Sequence, residues 1–179
     1  MVERSPMHLW SMRGLYAGLC LLILFLHLMP LDTVPRGWAG PNLMLALTFA
    51  WAVRRPEYVP AGLVAVVFLL ADMLLHRPPG LLAALAVLGC QTLRHRAPDL
   101  RDLTFAMEWL TVLSIIAAVM VGYRVIQTVF LIDQAPLGLS VVEYAMTVLV
   151  YPLVVLASHL VFGVRKVAPG DLDAMRPAP

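Results

Sequence analysis

Apolar runs closed by proline, glycine or charge recur along almost the whole chain. Hydrophobic residues make up 61% of the 179 positions and charged ones only 13%. Soluble domains stand near half apolar and about a quarter charged. The pattern therefore predicts an all-α integral membrane protein. Six runs are distinguishable, at about 11–29, 41–53, 60–75, 80–93, 103–132 and 139–164. Pro30 stops the first, and Pro41 opens the second at a favourable first-turn position. "RRPEYVP" separates the second from the third, "RHRAPDLRD" the fourth from the fifth, and "DQAPLG" turns the fifth into the sixth. Residues 1–10 form a short leading segment, and the polar, proline-rich stretch 165–179 is expected to be a disordered tail. Runs two to four are short against the roughly 20 helical residues that a bilayer needs. They must borrow flanking residues or thin the membrane locally, and a re-entrant pair is the alternative to six full spans.

Charge sets an orientation. With the N-terminus in the cytoplasm, the inner segments carry ten basic residues: Arg4, Arg13, Arg54, Arg55, Arg94, Arg96, Arg101, Arg165, Lys166 and Arg176. The outer loops carry two, Arg36 and Arg77. That asymmetry satisfies the positive-inside rule for six spans with both termini cytoplasmic. Net charge is only +2, so nucleic acid is not an expected partner. The two cysteines, Cys20 and Cys90, lie in apolar runs and read as small buried hydrophobes. No Cys/His spacing indicates a metal, and no phosphate-loop or other cofactor motif is present.

Polar residues within the runs fall into two layers by helix rise. Asp72, His27, Arg124 and Glu143 lie near the outer ends of their runs, and Glu108, His159 and Gln91 near the inner ends. Such residues face a bundle interior and pair there, or mark a substrate or proton path; structural pairing is the commoner case. The sharpest expectation is a pair between Arg124 and Glu143 across the last hairpin, with Asp72 near enough to compete for the arginine. Asp72 also has local options. His76 and Arg77 follow on the same helix, and the Pro78–Pro79–Gly80 turn that closes this stretch needs an anchor. Gly14 and Gly18 stand at helix-dimer spacing, which ordinary close packing explains as well as a homodimer seam. Catalysis is not expected. No hydrolase motif occurs, and Ser114 and His159 sit at different depths.

"LMPLDTVPRGWAGPNL", "LTFAWAVRRPEYVP", "FLLADMLLHRPPGL" and "VLVYPLVVLASHLVFGVRK" occur in this order within residues 9–166. Together they resemble MreD, the rod shape-determining membrane protein family. The most telling part is the acidic residue followed by a short Pro/Gly turn, here Asp72, Pro78, Pro79 and Gly80. The resemblance implies a six-transmembrane-helix bundle similar to the substrate-binding subunits of energy-coupling-factor transporters. It implies a non-enzymatic scaffold of the cell-wall elongation machinery in the bacterial inner membrane. The implied partners are MreC and, through it, MreB, RodA and a class B penicillin-binding protein, besides membrane lipids. A substrate-binding subunit of a vitamin-type transporter is the alternative. The family offers no catalytic residue to carry over. The chain departs from the family in its proline-rich connections and its basic His76–Arg77 turn.

Overall fold

A computed structural model describes residues 6–29, 40–100, 104–132, 134 and 136–164. Every regular element among them is helical. These are α1 (Pro6–Leu28), α2 (Leu43–Arg54), a 3-10 turn (Pro56–Tyr58), α3 (Ala61–Leu74), α4 (Leu81–Leu100), α5 (Phe105–Val129) and α6 (Leu137–Phe162). The order matches the six runs read from the sequence. The tail 165–179 and the segment 30–39 lie outside the described residues.

Two boundaries are corrected. α1 starts at Pro6 rather than at 11, because polar residues do not end a helix that has partners for them. Ser11 donates to the His8 carbonyl at 2.8 Å, and Arg13 donates from Nε to the Glu57 carbonyl at 3.1 Å. α4 continues to Leu100 through the stretch read as a charged loop. Apolarity ends near Leu93, but arginine is a good helix former. Leu93 and Ala97, four residues apart, keep one buried face going at 0% and 1% exposure.

α2 is the axis of the bundle. Every residue from Met44 to Arg54 is buried. It packs against α4 and α6 and reaches α1, while α3 lies on α4, α4 on α5 and α5 on α6. Its 12 residues span only about 18 Å at helical rise. The enclosure accounts for the short run, since a helix wrapped by protein has no lipid face to match. α4 approaches α2 and α5 closely at Gly89, where an added Cβ would stand 2.6 Å from Phe49 Cζ and 3.2 Å from Ile115 Cγ2. Trp51, fully buried, has the rings of Tyr16, Tyr58 and Phe162 around it at 5.9, 6.3 and 6.1 Å.

The outer helices carry the apolar exposure. α1 (from Met7), α5 and α6 are long and apolar enough to cross a membrane. They turn Phe25, Val125, Leu153 and Leu160 outward. Gly14 and Gly18 are exposed as well, and an added Cβ at either meets nothing within 4 Å. Close packing within the bundle is therefore not their role. Cys20 and Cys90 are buried and free, as read.

Candidate functional site

The α3–α4 turn is built around Asp72. α3 ends in a left-handed residue, His76 (φ 54). The His76 amide donates to the Met73 carbonyl at 3.4 Å and the Arg77 amide to the Asp72 carbonyl at 2.9 Å, which is a Schellman closure. Gly80, at φ 84, supplies the second left-handed position, which favours glycine. The Asp72 carboxylate then accepts from the amides of Gly80 at 3.1 Å and Ala83 at 3.2 Å. It serves as the N-cap of α4 from the neighbouring helix, satisfying amides that the helix itself leaves open. Asp72 is fully buried, and its Oδ1 has no hydrogen-bond partner among the described residues. Of the readings offered by the sequence, the turn anchor describes this geometry. Pro78 and Pro79 form the turn's body.

Beside this turn two adjoining cavities, or lobes, share part of their lining. The first lobe, about 180 Å³, lies among Ile23, His27, Phe68, Leu75, Asn42, Arg77 and Glu143. The second, about 220 Å³, lies among Tyr123, Arg124, Gln127, Gln134, Ser140 and the same Asn42, Arg77 and Glu143. Thus His27, Arg124 and Glu143, predicted as one layer with Asp72, do share one end of the bundle. The predicted Arg124–Glu143 ion pair is not formed. Arg124 donates from Nη1 to Ser140 Oγ, and its carbonyl accepts from Gln134 Nε2 at 3.2 Å. Glu143 lines both lobes together with Asn42 and Arg77. Asn42 is already fixed: it caps α2 by accepting from the Leu45 amide at 3.2 Å, and its own amide donates to Thr147 Oγ1 at 2.9 Å.

The opposite end holds a compact buried cluster. Arg54 Nη1 stands 2.6 Å from Glu108 Oε1, with the side chains 8% and 0% exposed. The approach is close but off the hydrogen-bond axis, so attraction between charges rather than a linear bond holds it. Tyr151 donates its hydroxyl to the same Oε1 at 3.1 Å. α2, α5 and α6 are tied at this point. His159 is half-buried on α6 and Gln91 half-buried on α4, and among the described residues neither has a side-chain bond to Arg54 or Tyr151. Ser114 donates to the Thr111 carbonyl at 2.8 Å within its own helix. Among the described residues no group of three His, Cys, Asp or Glu side chains could hold a metal.

Arg54 went unread from the sequence because it counts naturally as a loop charge, and Arg77 reads there as an outer-loop charge and a local partner for Asp72 rather than as part of a cavity wall. A signal existed for Arg54. Thr48, Trp51 and Arg54 follow one another at spacing three, and each reaches a different helix: Thr48 meets Tyr16 at 2.8 Å, Trp51 donates to Ser158 at 3.0 Å, and Arg54 meets Glu108. No comparable local signal marks the cavity position of Arg77, which depends on His76 adopting a left-handed conformation uncommon outside glycine.

The fold thus defines a class, an all-helical protein with three helices long and apolar enough to lie across a membrane. No protein-family model, curated protein or solved structure matches the chain.

Proposed function

We propose that the chain is a non-enzymatic scaffold of the bacterial cell-wall elongation machinery, an MreD-type protein of the inner membrane with both termini cytoplasmic. The observation that carries this reading is the ordered set of four segments within residues 9–166, centred on Asp72 and its Pro78–Pro79–Gly80 turn. The interior chemistry supports it. The buried polar groups Asp72, Thr48, Ser158 and Glu108 are engaged in fixing one helix against another. A bundle held this way suits a rigid platform whose outer helices offer apolar faces to lipid and to partner helices. Six spans follow if α2 crosses within the wall of its neighbours and α3, which turns Val66 and Met73 outward, meets lipid across a locally thinned membrane, and the basic asymmetry of the loops favours both ends inside. On this reading MreC is the direct partner, with MreB, RodA and a class B penicillin-binding protein reached through it.

Depletion in the native host tests the proposal. The expected result is loss of rod shape with dispersed wall insertion, and co-purification of an MreC-type protein in mild detergent. Normal rods after complete depletion would overturn it. The polar cavity at the α3–α4 end favours a second reading, the substrate-binding subunit of a small-molecule transporter. Normal shape together with a specific uptake defect would select that one.

A further inference from the structure

We infer that the cavity at the α3–α4 end is a binding site for a singly charged phosphate ester on an amphipathic molecule, with Arg77 as the residue that holds the anion. The inference stands on the cavity and not on either role proposed above. Arg77 is half-buried, lines both lobes, and has its backbone fixed by the bond from its amide to Asp72. Its guanidinium makes no hydrogen bond or ion pair with any described residue. A guanidinium presents five donors in a planar fork suited to a phosphate or carboxylate. Leaving such a fork uncommitted in a concave site is costly unless water or a ligand takes the donors.

The charges that face Arg77 do not take them. Asp72 and Glu143 act on it only through space, and so does the Tyr123 hydroxyl. The Asp72 carboxylate is committed to the α4 amides, and no ion pair joins Glu143 to Arg77 among the described residues. Gln127, 8% exposed, faces the second lobe and forms no side-chain hydrogen bond among the described residues. Arg124 stands in the same lobe, bonded to Ser140. A single negative charge in the second lobe therefore faces Arg77 and the Gln127 amide.

Glu143 narrows the class further. Its carboxylate in the shared wall repels a polyanion and accepts from a hydroxyl on the ligand. The first lobe adds Ile23, Phe68 and Leu75 as an apolar wall for the rest of the molecule. The chemistry is that of a phosphodiester bearing hydroxyl groups, carried either by an anionic phospholipid or by a soluble phosphodiester.

The test uses the full chain in lipid nanodiscs and in mild detergent. The probes are short-chain phosphatidylglycerol, its deacylated headgroup glycerophosphoglycerol, and short-chain phosphatidylcholine, which lacks hydroxyl donors. Binding is read by native mass spectrometry and calorimetry. We expect phosphatidylglycerol to bind more tightly than phosphatidylcholine. Arg77→Gln should weaken it by about tenfold to a hundredfold, the loss expected for a charge-assisted contact. Arg94→Gln, on α4 away from both lobes, should leave it unchanged. Competition by the headgroup alone assigns the recognition to the phosphodiester itself, and binding of the lipid without the headgroup assigns the lipid as source. Ser140→Leu, filling the second lobe, should reduce binding without unfolding the chain, which a thermal transition in the absence of ligand checks. Equal binding of all three probes, or affinity unchanged in Arg77→Gln, would overturn the inference.

Discussion

Replacing Arg54 with methionine takes the guanidinium from a carboxylate that is fully buried. In the native bundle Arg54 Nη1 lies 2.6 Å from Glu108 Oε1, and Tyr151 donates to the same oxygen at 3.1 Å. Methionine keeps the length and apolar stem of the side chain, so packing loss is small and the charge is the main change. Removing one partner of a buried ion pair costs about 3–5 kcal/mol, because the other charge stays buried without it. For chains of this size a loss of 1 kcal/mol lowers the melting temperature by roughly 2–4 °C. Arg54→Met should therefore lower the transition by roughly 6–20 °C. Glu108→Leu should cost less, because Arg54 sits in the last turn of α2 and its long side chain can swing toward the bundle end. The double variant removes both charges and should recover most of the Arg54→Met loss. The assay is retention of a monodisperse peak in detergent after heating through a temperature series. Strict additivity of the two single losses in the double variant would falsify the pairing, since uncoupled sites add. An Arg54→Met transition within about 2 °C of the parent, below about 1 kcal/mol, would show that the pair carries little stability.

Other outcomes follow from the same geometry. Gly89→Ala should destabilise by about 1–3 kcal/mol despite alanine's better helix propensity, because its Cβ would stand 2.6 Å from Phe49 Cζ. Phe49→Leu in the same chain should recover part of that loss on the same heating series, and no recovery would place the strain elsewhere. Asp72→Ala should cost about 2 kcal/mol by leaving the Gly80 and Ala83 amides without their acceptor. Asp72→Asn retains a carbonyl acceptor and should cost less, and equal losses would show that charge rather than acceptor geometry sets the cap. Reporter fusions after Arg55, after Gly80 and at the C-terminus should read inside, outside and inside, and an outward C-terminus refutes the proposed orientation.

Helix order was legible because lipid-scale apolar runs and Pro/Gly punctuation are properties of contiguous sequence. The Asp72 turn was legible for the same reason: an acid, two prolines and a glycine within nine residues already describe an anchored corner. The continuation of α4 past Leu93 was not, since helix backbone does not stop where apolarity does. Nor was the enclosure of α2. A 12-residue apolar run reads alike whether it is wrapped by protein or stranded in lipid. The direction of Arg54 was hidden by counting it as a loop charge. Side chains on a helix slant back toward its N-terminus, so an arginine in the last turn reaches into the bundle rather than away from it. The Arg124–Glu143 expectation placed both residues at one end and failed on their partners. Ser140, four residues into α6, takes the Arg124 donor, and Asn42, the cap of α2, shares the cavity wall with Glu143; neither carries a charge that would draw notice in a sequence.

The polar residues also explain why α2 and α6 hold one register. Two apolar helices packed in a bundle can slide along one another with little change in buried area, because one methyl contact replaces another. α6 presents Thr147, Tyr151 and Ser158 on its buried face. Thr147 Oγ1 accepts from the Asn42 amide at 2.9 Å at the start of α2, and Ser158 Oγ accepts from Trp51 Nε1 at 3.0 Å near its end. Nine residues on α2 and eleven on α6 separate these links, so the two helices run in the same direction with little slippage between them. Tyr151, between them on α6, reaches α2 through the carboxylate that Arg54 holds. Each link is worth only about 1 kcal/mol net, but sliding by a turn would leave several buried donors and acceptors unmatched, each at a cost of about 1–3 kcal/mol. The register is set by that penalty more than by the links' own strength. The cap at Asn42 borders the cavity, so the same register places Glu143, one turn before Thr147 on α6, in the cavity wall with Asn42 and Arg77.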